Sequence, residues 1–314
     1  MSVNNPLHVA VGVIKNNEGH VLISLRHKSS HQGGLWEFPG GKVEPRETVE
    51  QALARELKEE LGILVEASIP LIKVKHQYAD LDVLLDVRIV TLFSGKPSEV
   101  EGQEVKWIDP DQLTNHKFPE ANYPIITATR LPSEYAILNG TEIDALLKDL
   151  NIILNNGIKL IQARVKALSG EEVVNFFKLA IPLCKEKGAC LLVNSAVNNM
   201  DKVDVSGIHL TTMDLFALKQ RPAGYAWVSA SCHNLDELQY AEQIGVDFVV
   251  LAPVLATKTH PDAKPLGWEC FKEIIDKVNL PVFALGGMKK EDKQAAQVAG
   301  AQGIAGITTF LTES

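Results

Sequence analysis

The sequence predicts two domains in tandem, an α+β domain over residues 1–131 followed by an α/β domain of the (β/α)8 barrel class over residues 132–314. Three observations carry this. The chain has 314 residues, too many for one ordinary compact domain of about 100–150 residues. Up to Leu131 strand-like runs surround a single well-specified helix, whereas beyond it short apolar runs alternate regularly with helix-length segments. The stretch ATRLPSE, around Leu131 to Glu134, carries the turn residues where that texture changes.

In the first half the strand candidates are HVAVGVI, VLISLR, DVLLDVRIV and EVKWI. The helix runs from Val49 to Leu61: Thr48 with Gln51 makes a capping box, Gly62 is a stop, and Val49, Leu53, Leu57 and Leu61 form an apolar stripe. In the second half the strand candidates are EYAIL, KLIQARV, CLLVNS, GIHL, AWVSAS, FVVLAPV, PVFALGG and GIAGI, with seven helix-length segments between them. An open doubly wound sheet is the structural alternative.

Composition narrows the function. A hydrophobic fraction of 46%, a charged fraction of 22% and no low-complexity tract describe a chain that folds throughout. A formal charge of -8 argues against binding nucleic-acid polymers, whose recognition relies on dense Lys and Arg. The start lacks a signal-type apolar core and no later run approaches about 18 apolar residues, so neither export nor a membrane span is expected and the chain reads as cytoplasmic. Cys184, Cys190, Cys232 and Cys270 have no metal-type spacing and are expected as reduced, mostly buried thiols.

On the polar side of the helix, Glu56, Glu59 and Glu60 fall at i, i+3 and i+4, on an arc of about 100°. Such spacing costs a helix a few tenths of a kcal/mol per like-charged pair unless a positive group sits among them. A hard divalent cation would serve. Gly41, five residues, Glu47, seven residues, then REUXEEUGU-like Arg55 to Ile63 matches the Nudix signature at every defined position, and the first half is identified as a member of that family. The resemblance implies an α/β/α sandwich around a mixed sheet. It further implies Mg²⁺ or Mn²⁺ held by Glu56, Glu59, Glu60 and Glu101, with Gly40 also at the metal, and a catalytic set of Glu56, Glu59, Arg55 and Glu101. Glu56 is favoured as the base that takes the proton from the attacking water, with Glu59 or Glu101 as alternatives. Arg55 would orient a carboxylate and Glu47 would support it.

The segments LWEFPGGK, EGQ at Glu101 to Gln103 and FPEANYP at Phe118 to Pro124 resemble the MutT-type branch, which hydrolyses 8-oxo-dGTP to 8-oxo-dGMP and pyrophosphate. That resemblance places Asn122 on the oxidised purine, for which an amide offers both a donor and an acceptor. Phe38 and Tyr78 are candidate neighbours of the base, and Arg26 and Lys42 candidate substrate contacts.

The second half is similar to the thiamine phosphate synthase and TenI family, through QARVK, GIHL, SCH, APVLATKTH and ALGGM. These pieces lie at the C-terminal ends of the expected strands, where barrel sites form. The resemblance implies a phosphorylated thiazole or pyrimidine as ligand, contacted by Gln162, Arg164, Lys166, Ser231, Thr257, Thr259, Gly286 and Gly287. His233 corresponds to the catalytic histidine of TenI proteins. Two departures stand out: Ser195 replaces an aspartate that helps bind Mg²⁺ in the synthases, with Asp214 at the other metal position, and His260 replaces a phosphate-loop lysine. Strand alternation aims Ser231 and His233 to one side and Cys232 to the other, against a Cys-His pair.

The function expected is therefore removal of 8-oxo-dGTP by a metal-dependent pyrophosphohydrolase, with a barrel as a second module. The alternatives are hydrolysis of a thiamine-pathway diphosphate, and a barrel that only binds a phosphorylated ligand. Partners are small molecules, with neither nucleic-acid polymer nor membrane among them, and an oligomer is left open.

Overall fold

A computed structural model of the chain describes residues 5–28, 32–100, 102–198, 203–257 and 264–312. Contacts divide it into two units, Met1–Arg130 and Leu131–Ser314. Among the described residues no helix is long and apolar enough to cross a membrane.

The first unit contains β1 (Leu7–Ile14), β2 (Val21–Leu25), β3 (Trp36–Glu37), β4 (Gly40–Lys42), α1 (Val49–Leu61), β5 (Leu64–Gln77), β6 (Asp82–Ser94), β7 (Val105–Ile108) and α2 (Tyr123–Arg130). A mixed sheet has the order β4-β1-β6-β5, and a second sheet the order β3-β2-β7. In the mixed sheet β1 runs parallel to β6, while β4 and β5 are antiparallel to their neighbours. One apolar layer joins Ala10, Ile14 and Val90 to Ala52, Leu53, Leu57 and Leu61 of α1. The other joins Val11, Val13 and Val87 to Ile125 and Ile126 of α2. Strand alternation thus feeds two helix-covered faces, the sandwich that the signature implies.

Helix α1 has the ends read from the sequence. The Thr48 hydroxyl accepts from the Gln51 N–H, the Gln51 side chain accepts from the Thr48 N–H, and Gly62 takes a left-handed conformation with φ of 71°. Its apolar stripe lies so close to β1 that a β-carbon on Gly12 would stand 3.1 Å from Leu57 Cδ1 and 3.2 Å from Leu53 Cδ1. A glycine there lets the helix approach.

The sequence reading missed β5 and α2. In β5, Pro70 interrupts the pattern, and the strand survives because it is an edge strand paired only with β6, with register shifts around that proline. Helix α2 opens on Tyr123-Pro124, a position where a helix tolerates a missing N–H.

The second unit is a closed parallel barrel of β8 (Glu134–Leu138), β9 (Leu160–Ala163), β10 (Cys190–Asn194), β11 (Gly207–Leu210), β12 (Trp227–Cys232), β13 (Phe248–Leu251), β14 (Val282–Ala284) and β15 (Gly303–Gly306). These are the eight expected runs, and closure excludes the open doubly wound sheet. Between them lie α3 (Ile143–Asn155), α4 (Gly170–Glu186), α5 (Thr212–Ala217), α6 (Leu235–Gln243), α7 (Gly267–Ile275) and α8 (Lys293–Val298). The sequence suggested seven helices. In the link from β10 to β11 the described residues form none; just after the strand the Val197 N–H bonds Asn194 O in a turn.

Period-two alternation sorts the barrel strands. Ile161, Val193, Ile208, Val228, Val249 and Ile304 face the helices, while Tyr135, Leu160, Leu192, Phe248, Phe283 and Ala305 pack inside. Toward the C-terminal ends of the strands the buried residues become polar, with Gln162, Asn194, His209 and Ser229 all at most 3% exposed. Cys232 is buried on the helix side, as the alternation argued, and all four cysteines are free, Cys184 and Cys232 buried and the others half-buried.

Replacing Thr48 with alanine removes the hydroxyl that caps α1. The unfolding transition of the first unit, followed in the intact chain by chemical denaturation, should lose about 1 kcal/mol; an unchanged midpoint would show that the cap contributes nothing.

Candidate functional site

The loop between β3 and β4 and the polar face of α1 create the first candidate site. Gly40 pairs with Val11 in the β1–β4 register, with φ of 148°, and a β-carbon there would stand 2.1 Å from Ala10 O. At Gly41 the missing side chain matters differently: a β-carbon would stand 2.1 Å from Glu56 Cδ, so the Glu56 carboxylate fills that space. The Gly40 N–H donates to Glu60 Oε2 at 3.1 Å.

Arg55 binds this cluster together. Its Nε and Nη2 donate to the two Glu47 oxygens at 2.9 and 3.0 Å, a bidentate pair, and Nη2 also reaches Lys42 O at 2.9 Å. Its Nη1 donates to Glu56 Oε1 at 2.7 Å and Glu59 Oε2 at 3.3 Å. The Arg55 guanidinium, helped by the Glu44 N–H, holds the Glu47 carboxyl down at about 2. The same carboxylates keep Arg55 charged, its own pKa raised by Glu47 and Glu56.

Among the described residues no three His, Cys, Asp or Glu side chains converge as a ready ion cage. The donor chemistry of this face nevertheless fits a hard divalent ion: Glu56, Glu59 and Glu60 are all oxygen donors, and one positive group, Nη1 of Arg55, already stands between the first two. Glu101 lies outside the described residues. Lys42 is exposed, and of its atoms the main-chain oxygen serves the cluster.

A second group gathers beside Phe38. Phe38 and Phe118 are both buried, with ring centroids 5.7 Å apart. Asn122, at the end of a short 3-10 turn from Glu120, is 8% exposed, and its side-chain amide makes no hydrogen bond within the described residues. Tyr78 hydrogen-bonds the backbone at Ala121, and its ring lies 4.4 Å from that of His76. Arg26 is paired with Glu37, a partner that the sequence reading missed although the β2–β3 register sets Leu25 against Trp36. Burial outweighs the arginine and pushes the Glu37 carboxyl up to about 7.

The third group surrounds the C-terminal mouth of the barrel. Arg164 Nη1 donates to Asn139 Oδ1 at 2.9 Å. Lys166 is exposed, its pKa lowered by partial burial and by Arg164 and held up by Asp214. His233 Nδ1 lies 3.0 Å from Glu237 Oε2, the same oxygen that accepts from the His233 N–H at 2.7 Å. Glu237 thereby fixes the imidazole, and nothing in the sequence motif pointed to it. Asp214 Oδ2 accepts from both Ser195 Oγ and Thr211 Oγ1, and Thr211 caps α5. Two hydroxyls therefore share one Asp214 oxygen, and the carboxylate expected beside it is Ser195; with one carboxylate in place of two, this donor set does not fit the divalent ion that the synthase resemblance implies.

The glycines of the ALGGM loop have a packing reason. A β-carbon on Gly286 would stand 2.9 Å from Pro253 Cα, and one on Gly287 would stand 2.3 Å from Ala256 O. Thr257 is described, whereas Thr259 and His260 fall outside the described residues. Gln162 lies below the mouth, 2% exposed, with both ends of its amide engaged.

Comparison with known proteins follows the same division. The NUDIX domain model matches residues 10–128, and the model described as thiamine monophosphate synthase matches residues 134–310. A protein of Aquifex aeolicus (strain VF5) named "Putative thiamine-phosphate synthase 2" is 36% identical over 183 residues, 58% of this chain and 98% of that protein. The 8-oxo-dGTP diphosphatase of Escherichia coli (strain K12) is 38% identical over 120 residues, 38% of this chain and 93% of that protein. The 8-oxo-dGTP diphosphatase of Proteus vulgaris is 46% identical over 96 residues, 31% of this chain and 86% of that protein.

The raised Glu37 carboxyl has a definite pH signature. Between its ordinary 4.5 and about 7 the folded chain retains a proton that the unfolded chain has released, so folding stability falls as pH rises through that window. Thermal melting of the first unit should show this decline, and Glu37→Gln should flatten it; an unaltered slope in the variant would assign the decline elsewhere.

Proposed function

Because the chain belongs to the NUDIX domain family through its first half and to the thiamine monophosphate synthase family through its second, we propose that it is a Nudix hydrolase whose substrate is 8-oxo-dGTP, cleaved with Mg²⁺ to 8-oxo-dGMP and pyrophosphate. Mn²⁺ is the alternative ion. The biological role of that reaction is removal of an oxidised nucleotide before a polymerase uses it. The observation that carries the reading is the gathering of Glu56 and Glu59 around Arg55, with the Glu56 carboxylate in the space left by Gly41.

Glu56, Glu59 and Glu60 would hold the ion, with Glu101 and Gly40 completing the set. When bound, a divalent cation neutralises the diphosphate oxygens and acidifies a water. The rest falls to the protein. Arg55, anchored on Glu47, engages Oε1 of Glu56 and leaves Oε2 to accept the proton of the attacking water. As the water oxygen bonds to phosphorus, the bond to the bridging oxygen breaks and pyrophosphate leaves. Asn122 is the natural reader of the base, since a buried amide without a partner among the described residues has both its donor and its acceptor to offer. Phe38 and Tyr78 would flank the base, and Arg26 and Lys42 would meet the sugar and phosphates.

The barrel we read as a site for a phosphorylated small molecule such as a thiazole or pyrimidine phosphate. Arg164 and Lys166 supply positive charge at the mouth, with Gln162, Ser231, Thr257, Thr259, Gly286 and Gly287 as its other contacts. His233, steadied by Glu237, would move the proton in any catalysis there. No step is assigned to a metal at Asp214.

A panel of 8-oxo-dGTP, dGTP, thiamine diphosphate and an aminopyrimidine diphosphate, assayed on the intact chain with Mg²⁺, tests the substrate. Preference for 8-oxo-dGTP over dGTP is expected, and equal rates would remove the oxidised-base reading; a thiamine-pathway diphosphate as best substrate would replace it. Glu59→Gln should lower turnover at least 100-fold, the scale of losing a group that stabilises transition-state charge. Gly41→Ala should act similarly while leaving stability nearly unchanged, because its methyl displaces only the movable end of Glu56. A Gly41→Ala enzyme with normal turnover would show that Glu56 need not sit there.

A further inference from the structure

Arg88 stands in the middle of β6 on the face that α1 covers, beside Gly12 in the β1–β6 register, the glycine that lets Leu53 and Leu57 approach. It is 9% exposed. Its Nε donates to Ser68 Oγ at 2.9 Å and its Nη2 to Ser68 O at 3.2 Å, both on the edge strand β5, whose register shifts fall just before Ser68 and just after Pro70. Its Nη1 meets Glu50 Oε1, in the first turn of α1, at 3.0 Å. Taking a guanidinium out of water costs several kcal/mol before its partners offset it, whereas an apolar side chain at this position would extend the layer of Val90 and Leu57 without that penalty. Core packing therefore does not account for the arginine. The direction of its third contact does.

Strands β4 and β6 flank β1 on opposite sides. The acids of α1 lie on the β4 side, where the Glu56 carboxylate fills the space at Gly41 and Glu60 accepts from the Gly40 N–H. Glu50 reaches the β6 side: around the helix axis it stands about 120° from Glu56 and about 180° from Glu59. Between these flanks runs the stripe of Leu53, Leu57 and Leu61, and apolar contacts hold a helix down without fixing how it is rotated. A rotation of about 10° carries a carboxylate at the helix rim, about 5–6 Å from the axis, by about 1 Å. A displacement of that size at a reacting centre can cost up to about 100-fold in rate.

We propose that Arg88 and Glu50 are positioning residues for the hydrolysis: their ion pair, braced on Ser68, fixes the rotation of α1 about its own axis and thereby the aim of Glu56, Glu59 and Glu60 at the divalent ion. Neither residue touches the substrate, and both act through the helix. Ser68 matters because it holds the guanidinium from the far side, so that Arg88 presents one donor to Glu50 at a set height above the sheet. The inference rests on the reading of α1 as the ion-holding helix.

Glu50→Ala is the variant to make first, since the side chain it truncates is 55% exposed and its loss leaves no cavity. Pro39-Gly40 is the one Pro-Gly step in the sequence, so ¹³C-carbonyl proline with ¹⁵N-glycine selects the Gly40 amide, the donor to Glu60, in the intact metal-free chain. Glu50→Ala should shift that resonance, and Glu50→Gln, which keeps an oxygen for Arg88, should leave it near the wild-type position. Mn²⁺ affinity, read by electron paramagnetic resonance without substrate, should weaken about tenfold in Glu50→Ala, and kcat should fall about tenfold. KM for 8-oxo-dGTP should hold, because Phe38 belongs to the layer on the other face of the sheet. A loss of folded protein alone would move neither the Gly40 resonance nor the Mn²⁺ affinity. In an Arg88→Met chain, Glu50→Ala should have no further effect; an undiminished effect there means that Glu50 acts without the arginine and overturns the proposal. So do a wild-type Gly40 resonance and wild-type Mn²⁺ affinity in Glu50→Ala. If Glu59→Gln keeps full turnover and full Mn²⁺ affinity, it is the reading of α1 as the ion-holding helix that fails, and the positioning role goes with it whatever the Gly40 resonance shows.

Discussion

Repulsion among carboxylates on one face of α1 is the constraint from which the first half is built. Glu56, Glu59 and Glu60 would push apart on a bare helix, yet they share a face because Arg55 stands among them and Gly40 lets the neighbouring strand come close. The glycines act at two scales. Gly12 seats the helix on the sheet, and Gly41 leaves the Glu56 carboxylate room against the loop. Packing that holds the helix therefore also aims the acids, so stability and chemistry are joined through a few absent side chains.

The barrel solves a different problem by the same economy of space. Its inward positions form an apolar floor of Tyr135, Phe248 and Phe283, above which amide, hydroxyl and imidazole groups satisfy one another. Asp214, where the synthase resemblance implied a metal ligand, is drawn into capping α5 by Thr211 and Ser195. One substitution, serine for aspartate, removes a ligand and supplies the hydroxyl that occupies its neighbour. The second half thus keeps the architecture of its family while its acidic residue serves two neighbouring hydroxyls.

Local signals were readable in the sequence, and distant pairings were not. The ends of α1, the eight barrel strands and the inward or outward sense of Ser231 and Cys232 follow from caps and periodicity, which are contained within a few neighbouring residues. Strand β5 escaped because Pro70 mimics a break, and only its place at the sheet edge explains why it is tolerated. Glu37 looked like one acid among many until the register of β2 and β3 brought Arg26 to it. His209 meets Tyr135 across 74 residues of chain, a contact that short strands of four or five residues do not announce. Position in the signature singled out the acids of the first half as candidates, whereas the polar contacts inside the barrel needed the closed sheet.

The long outer strand β5 carries one more consequence. An open sheet margin of 14 residues is a template on which another chain's backbone could pair, the first step toward aggregates. Here Pro70 removes a donor from that margin, the register shifts around it roughen the line, and Glu66, Lys73 and Lys75 load it with charge. The irregularity that hid the strand from a reading of its sequence is the same irregularity that keeps its free side from recruiting neighbours.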